Sequence, residues 1–268
     1  MPRTPVIKPK PHRLLAEERR RKIIEIVDDT GRVTVNDVVK KLGVSAVTAR
    51  ADLNALADTG TIVRSHGGAV RRLEATRDYP VDFKATLHSA EKQRIGEAAA
   101  RLVRPNETII LDNGTTTAQV ARHLKALKPQ NVTVITNALN IATELSDAAG
   151  ISLIMIGGIL RQISRSFVGP QAERILKELH ADRLFLAVDG FDLDNGPSTP
   201  DILEAQLNGL MMEVARETTI VADSSKLGRR SLSRIGAVER VKRLITDARA
   251  NEEFLSALNA RGVEVITV

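Results

Sequence analysis

Val44-Ser45-Ala46-Val47-Thr48-Ala49-Arg50-Ala51-Asp52-Leu53-Asn54-Ala55-Leu56, followed by Thr61-Ile62-Val63-Arg64-Ser65-His66-Gly67-Gly68-Ala69-Val70-Arg71, decides how the first part of the chain folds. Ser45 is a residue type that caps helix N-termini. Ala49, Leu53 and Leu56 recur at the spacing of one helical face and form a buried stripe. Away from that stripe lie Ala46, Thr48, Arg50 and Asn54, small or polar groups near the N-terminal half. The next segment is β-type on both sides of Gly67-Gly68, which reads as a hairpin.

Upstream, Leu15, Ile23, Ile24, Ile26 and Val27 mark a first helix whose charged residues Arg19 to Lys22 lie around its other face. Asp28-Asp29-Thr30-Gly31 ends it, with Gly31 as the C′ residue. Val33-Thr34-Val35 reads as a short bridge. Asn36 is expected to cap a second helix with Val38, Val39 and Leu42 inward, and Gly43 breaks the chain. Two short helices joined across a Gly turn make a helix-turn-helix, and periodicity alone equally permits a plain three-helix bundle. The hairpin tips the reading to a winged helix. Its third helix then enters the DNA major groove through Ser45, Ala46, Thr48, Arg50 and Asn54. Arg64, His66 and Gly67 of the wing are expected near the DNA backbone.

Charge distribution points the same way. The formal net charge is +6, and residues 1–80 carry all of the excess, with 16 Lys and Arg against 10 Asp and Glu. Such segregation suits a small module that meets an anion, nucleic acid being the common one, with a neutral body behind it. Residues 1–13 hold four prolines and four basic residues and read as a disordered arm. There is no Cys, so disulfides, thiolate metal sites and thiol nucleophiles are excluded. The histidines at 12, 66, 88, 123 and 180 show no ligand spacing, so no metal is expected. No apolar run approaches the ~18 residues of a membrane span, and the basic, Pro-rich start lacks a signal-peptide core, so a cytoplasmic protein without cofactor is expected.

The domain division expected is 14–72 for the winged helix, 73–90 for a polar linker containing Pro80, and 91–268 for an α/β domain. A helix is expected over Glu91–Val103. Seven apolar runs then alternate with helical segments: Thr108–Leu111, Val132–Ile135, Ile151–Ile156, Leu184–Val188, Thr219–Ala222, Leu244–Thr246 and Val263–Ile266. Apolar strands alternating with helices imply a mostly parallel sheet covered on both faces.

Ligands of open α/β sheets bind at the carboxyl ends of the strands. Behind the first five runs stand Asp112-Asn113-Gly114-Thr115-Thr116-Thr117, Thr136-Asn137, Gly157-Gly158, Asp189-Gly190 and Asp223-Ser224-Ser225-Lys226. Gly114 to Thr117 lead into a helix, a place where backbone N–H groups and hydroxyls can hold phosphate, with Lys226 adding charge. Asp112, Asp189 and Glu204 can accept hydrogen bonds from hydroxyls. A phosphate end and a hydroxyl end together describe a sugar phosphate. The bland readings are helix capping for the threonines, a solvated loop for Lys226 and an exposed helix face for Glu204.

These motifs resemble the DeoR family of bacterial transcription regulators. Val44 to Leu53 and Arg64 to Ala69 are similar to the family pattern V-S-x-x-T-I-R-R-D-L followed by R-x-H-G-G-A. Ala49 stands where the pattern has Ile, and Ala51 where it has the second Arg. Asp112–Thr117, Thr136-Asn137, Gly157-Gly158, Ser166-Phe167-Val168-Gly169, Asp189-Gly190, Glu204-Ala205 and Asp223–Lys226 are similar to its sensor motifs. Asn113 replaces a usual Ser. The resemblance implies a sensor fold like ribose-5-phosphate isomerase and glucosamine-6-phosphate deaminase. Among its members, those governing amino-sugar and related sugar catabolism look most alike. It also implies a DNA operator and a phosphorylated-sugar effector as partners. Helix-turn-helix proteins usually act as dimers or higher oligomers, so a homodimer or tetramer is expected. The competing reading is an isomerase- or deaminase-like enzyme fused to a DNA-binding module, with Asp189, Glu204 and Lys226 in acid–base roles. A complete reader module in residues 1–80 argues for a regulator that is not an enzyme.

Overall fold

The chain divides into two compact units, Met1–Leu73 and Glu74–Val268, in the computed structural model. It describes residues 15–30, 32–58, 61–65, 67–71 and 78–268. The expected arm, Gly31 and His66 lie outside the described residues.

The first unit comprises helices α1 (Ala16–Thr30), α2 (Val35–Leu42) and α3 (Ala46–Asp58) with strands β1 (Arg32–Thr34), β2 (Ile62–Ser65) and β3 (Gly68–Arg71). Ile23 and Val27 of α1, Val38 of α2, and Ala49, Leu53 and Leu56 of α3 share one core. Leu15, expected on the inner face, is exposed. Thr34, not Asn36, caps α2. Its hydroxyl accepts from Asp37 N–H while the Asp37 carboxylate accepts from Thr34 N–H, a capping box readable as Thr-x-x-Asp. Gly43 closes α2 in the left-handed conformation. Where a bridge was expected at 33–35, Val33 and Thr34 belong to β1 and Val35 opens α2. β1 pairs antiparallel with β3, which pairs with β2, giving a three-stranded sheet. That strand also explains the glycine pair. Gly67 turns the chain at φ +78°, and a Cβ on Gly68 would lie 2.1 Å from Val33 O.

In the second unit all seven apolar runs form one sheet. Its strands are β4 (Thr108–Leu111), β5 (Val132–Thr136), β6 (Ile151–Met155), β9 (Ala181–Leu186), β12 (Ala215–Val221), β14 (Val241–Thr246) and β15 (Glu264–Thr267). The order is β15-β14-β12-β9-β4-β5-β6, and every neighbouring pair is parallel. Alternate residues face opposite layers. Ile109, Leu111, Phe185 and Val221 pack with α5 (Ser89–Ala100), α6 (Thr115–Leu127) and α7 (Leu139–Leu145). Ile110, Leu184, Leu186 and Ile220 pack with α8 (Pro170–Lys177), α9 (Ile202–Val214) and α10 (Glu252–Ala260). The hairpin β7 (Ile159–Arg161)/β8 (Ser166–Val168) and the small sheet β10 (Gly190–Asp192), β11 (Gly196–Thr199), β13 (Ser233–Arg234) lie outside the main sheet.

The expected linker is folded from residue 78 onward. α4 (Val81–Thr86) follows Pro80, Val81 is buried, and Val81 N–H donates to Ile163 O. Among the described residues no helix is long and apolar enough to cross a membrane.

Candidate functional site

In the first unit α3 presents Ser45, Val47, Arg50, Ala51 and Asn54 to solvent, while Ala46 and Thr48 are half-buried. Ser45 Oγ accepts from Thr48 N–H at 3.1 Å and lies 2.9 Å from Thr48 Oγ1, so both hydroxyls serve the cap. Asp52, on the same helix, turns inward and is 2% exposed. Its carboxylate accepts from Arg19 Nε at 2.8 Å and Nη2 at 3.2 Å, and from Arg20 Nε at 3.4 Å. The pair ties α3 to α1 and keeps a negative charge off the solvent face. Arg64 spends Nη1 on Gly68 O at 2.8 Å, bracing the hairpin. Burial, then repulsion from Arg50, lowers its pKa, so the two guanidiniums lie close enough to interact.

In the second unit β4 and β9 are adjacent, but the chain runs outward from β4 through β5 and β6 and returns to β9 on the other side. This is the topological switch point, where ligands of such sheets bind. The five loops singled out in the sequence follow β12, β9, β4, β5 and β6, five neighbouring strands, at one edge.

Two parts of that edge are structural. Asp112 is fully buried, and its Oδ1 accepts from Gly114 N–H at 3.2 Å and Ala187 N–H at 3.1 Å, clamping the β4 loop to the β9 loop. Burial outweighs these bonds and pushes its carboxyl up to about 7. A Cβ on Gly114 would lie 2.1 Å from Ala187 Cβ. Thr117 Oγ1 donates to backbone, Gly114 O at 2.8 Å and Asp112 O at 3.0 Å, so its hydroxyl is a cap and does not face a ligand. Thr115 is half-buried and Thr116 buried in the first turn of α6. Thr136 Oγ1 accepts from Ala138 N–H. Asn137 donates Nδ2 to Phe167 O and holds the β7–β8 hairpin, leaving its buried Oδ1 without a protein partner. Gly157 has open space at its Cβ position; Gly158, at φ +153°, would press a Cβ to 2.6 Å from Val168 O.

The remaining groups form one polar network. Glu204 in α9, 3% exposed and far from the exposed face its sequence allowed, is the hub. Its Oε1 accepts from Asn113 Nδ2 at 2.8 Å, from Ser166 Oγ at 3.3 Å and from Arg161; its Oε2 accepts from Thr199 Oγ1 at 3.3 Å. Arg161 also holds Asp78 at 2.7 Å and Asp201 at 3.2 Å. Thr199 Oγ1 lies 3.5 Å from Asp189 Oδ2. Asp189 sits between Lys84 at 3.2 Å and Lys226 at 3.4 Å. Burial alone would raise its pKa, but the two lysines outweigh it and hold the carboxyl at about 2. Asp223 is held below its ordinary value, with burial opposed by Lys226, His88 and Lys92. Lys92 of α5, 4% exposed, donates Nζ to Lys84 O at 2.6 Å, and burial pushes its ammonium down to about 8.

Of the residues singled out in the sequence, Asn113, Ser166, Asp189, Glu204 and Lys226 lie in this network, together with Asp78, Lys84, Lys92, Arg161 and Thr199, which the sequence reading did not name. One signal was present for Lys92: it continues the stripe of Ile95, Gly96 and Ala99 at helical spacing. The arrangement supplies fixed carboxylate and amide acceptors beside three lysines, Lys84, Lys92 and Lys226, which meet Asp189, Asp223 and, through Lys84 at 3.7 Å, Asp78. Among the described residues no group of His, Asp and Glu is placed to hold a metal.

The pattern of the DeoR C terminal sensor domain matches residues 87–248, and that of the DeoR-like helix-turn-helix domain matches residues 19–74. A protein of Escherichia coli O157:H7, named for repression of the aga operon, is 42% identical over 94% of this chain and 93% of its own. HTH-type transcriptional repressor GlcR of Bacillus subtilis is 32% identical over 93% of this chain and 95% of its own. The Glycerol-3-phosphate regulon repressor of Escherichia coli K12 is 32% identical over 86% of this chain and 90% of its own. Among solved structures, ribose 5 phosphate isomerase A from Neisseria gonorrhoeae overlays with TM-score 0.39 at 15% identity over 54% of each chain, too distant to bear on function.

Proposed function

The chain belongs to the DeoR family of helix-turn-helix transcriptional regulators, and on that premise we propose that it represses a sugar catabolic operon under the control of a phosphorylated sugar. It is a DNA-binding regulator and not an enzyme. Arg50 and Asn54 of α3 read base edges, and Arg64 braces the wing that approaches the DNA backbone. Oligomerisation of the full chain, as dimer or tetramer in the cytoplasm, sets the spacing of repeated half-sites.

The observation that carries the effector reading is the network at the switch point. Glu204, Asn113, Thr199 and Asp189 offer acceptors and donors for sugar hydroxyls. Lys84, Lys92 and Lys226, with the first-turn N–H groups of α6, offer the phosphate end.

A thermal-shift screen of the full chain against sugar phosphates, the matching free sugars and inorganic phosphate tests this. A ligand that binds only the folded state raises apparent stability by about 2.7 kcal/mol at one hundred times its Kd. At least one sugar phosphate is expected to shift the melting temperature, to be recovered unchanged, and to release operator DNA. Indifference to the phosphate group overturns the ligand class, and turnover would favour the enzyme.

A further inference from the structure

Among the described residues, the most exposed large apolar side chain is Val47, at 74%, in the first turn of α3. Nothing in the first unit's core requires it there. Its neighbours along the helix face are Arg50, Ala51 and Asn54 at i+3, i+4 and i+7, all exposed. The acidic group of this stretch, Asp52, is withdrawn into its ion pair with Arg19 and Arg20. Val47 and Ala51 therefore form a small apolar ledge beside a guanidinium and an amide.

Arginine and asparagine find hydrogen-bonding partners on guanine and adenine edges in the major groove. The ledge can find none. A single base presents an apolar group there, thymine through its C5 methyl. N-terminal residues of a recognition helix are the ones that approach base edges. We propose that Val47, seated against Ala51, determines specificity for a thymine methyl group in each half-site, next to the base pair read by Arg50.

This rests on α3 lying in the major groove, and the experiment separates the two. A duplex selected from a random pool by the full chain is resynthesised with each thymine in turn replaced by uracil, which removes only the methyl. For the wild type, one replacement per half-site should weaken binding about fourfold, the effect of burying one methyl group. In Val47→Ser the same replacement should cost nothing measurable, and 5-methylcytosine at that position should regain part of the wild-type affinity lost with plain cytosine. Val47 is exposed, so the variant is expected to fold, which an unchanged circular dichroism melt would show. Uracil tolerance at every thymine by the wild type, or equal methyl sensitivity in Val47→Ser, overturns the proposal. If Arg50→Ala also binds as the wild type does, α3 is not in the groove and the underlying reading falls with it.

Discussion

Replacing Lys92 with Met should make the ligand-free protein more stable near neutral pH while blunting its response to effector. The Lys92 ammonium is 4% exposed, and burial brings its pKa from 10.5 down to about 8. That gap corresponds to about 3 kcal/mol of folding free energy lost by keeping the charge inside. Met fills much of the same volume without charge. It forfeits the hydrogen bond to Lys84 O, which contributes about 1 kcal/mol. A net gain of about 1–2 kcal/mol is therefore expected below pH 8. The sign of the pH dependence follows from proton counting. Between pH 8 and 10.5 the unfolded chain holds a proton on Lys92 that the folded chain has released, so wild-type stability from this group rises with pH. The advantage of Lys92→Met should shrink across that window and be gone above it. Urea denaturation followed by circular dichroism at pH 7, 9 and 10.5 measures this. With a sugar phosphate that binds the wild type, the variant should lose affinity by tenfold or more, since a charge-assisted hydrogen bond contributes about 1.5–3 kcal/mol. A variant less stable than wild type at pH 7, or a difference that does not change with pH, would refute the reasoning.

Arg50→Ala should weaken operator binding by about 1–3 kcal/mol at fixed salt with an unchanged melting curve, read by fluorescence anisotropy. Gly68→Ala drives a Cβ into Val33 O, so it should disrupt the wing and abolish DNA binding while the effector-induced stabilisation of the sensor persists in a thermal-shift assay. Glu204→Ala removes the carboxylate that gathers Asn113, Arg161, Ser166 and Thr199. It should cost the sensor about 3 kcal/mol, the lower end for breaking a buried ion pair, because Asp78 and Asp201 still hold Arg161. Glu204→Gln should restore much of that stability in denaturation but not the affinity for sugar phosphates.

The sheet was legible because strands buried on both faces are continuous apolar runs, and runs such as 132–135 and 219–222 contain almost nothing else. Its edge was legible because a parallel sheet sends every such loop the same way. Lys84 and Lys92 were not, since a lysine in a helix ordinarily faces water, and Pro80 with its polar surroundings made 73–90 look like a linker. Arg161 lies on a three-residue strand too short for a periodic signal. Its meeting with Asp78 spans 83 positions of sequence. At α2 the cap is legible in sequence, since Thr34 and Asp37 stand at capping-box spacing. Thr117 shows the limit of motif reading, since a hydroxyl at a helix start serves cap and ligand equally well on paper and only its partners decide.

The placement of α4 governs where this protein can be cut and recombined. Asp78 and Lys84 precede residue 87, where the match to the sensor pattern begins, yet they neutralise Arg161 and Asp189 inside the sensor. A fragment started at residue 87 would leave Asp189 to Lys226 alone and Arg161 to Asp201 and Glu204. A chimera that grafts another DNA-reading module onto this sensor therefore needs its junction upstream of Asp78. In that sense the sensor begins earlier than its recognisable motifs suggest.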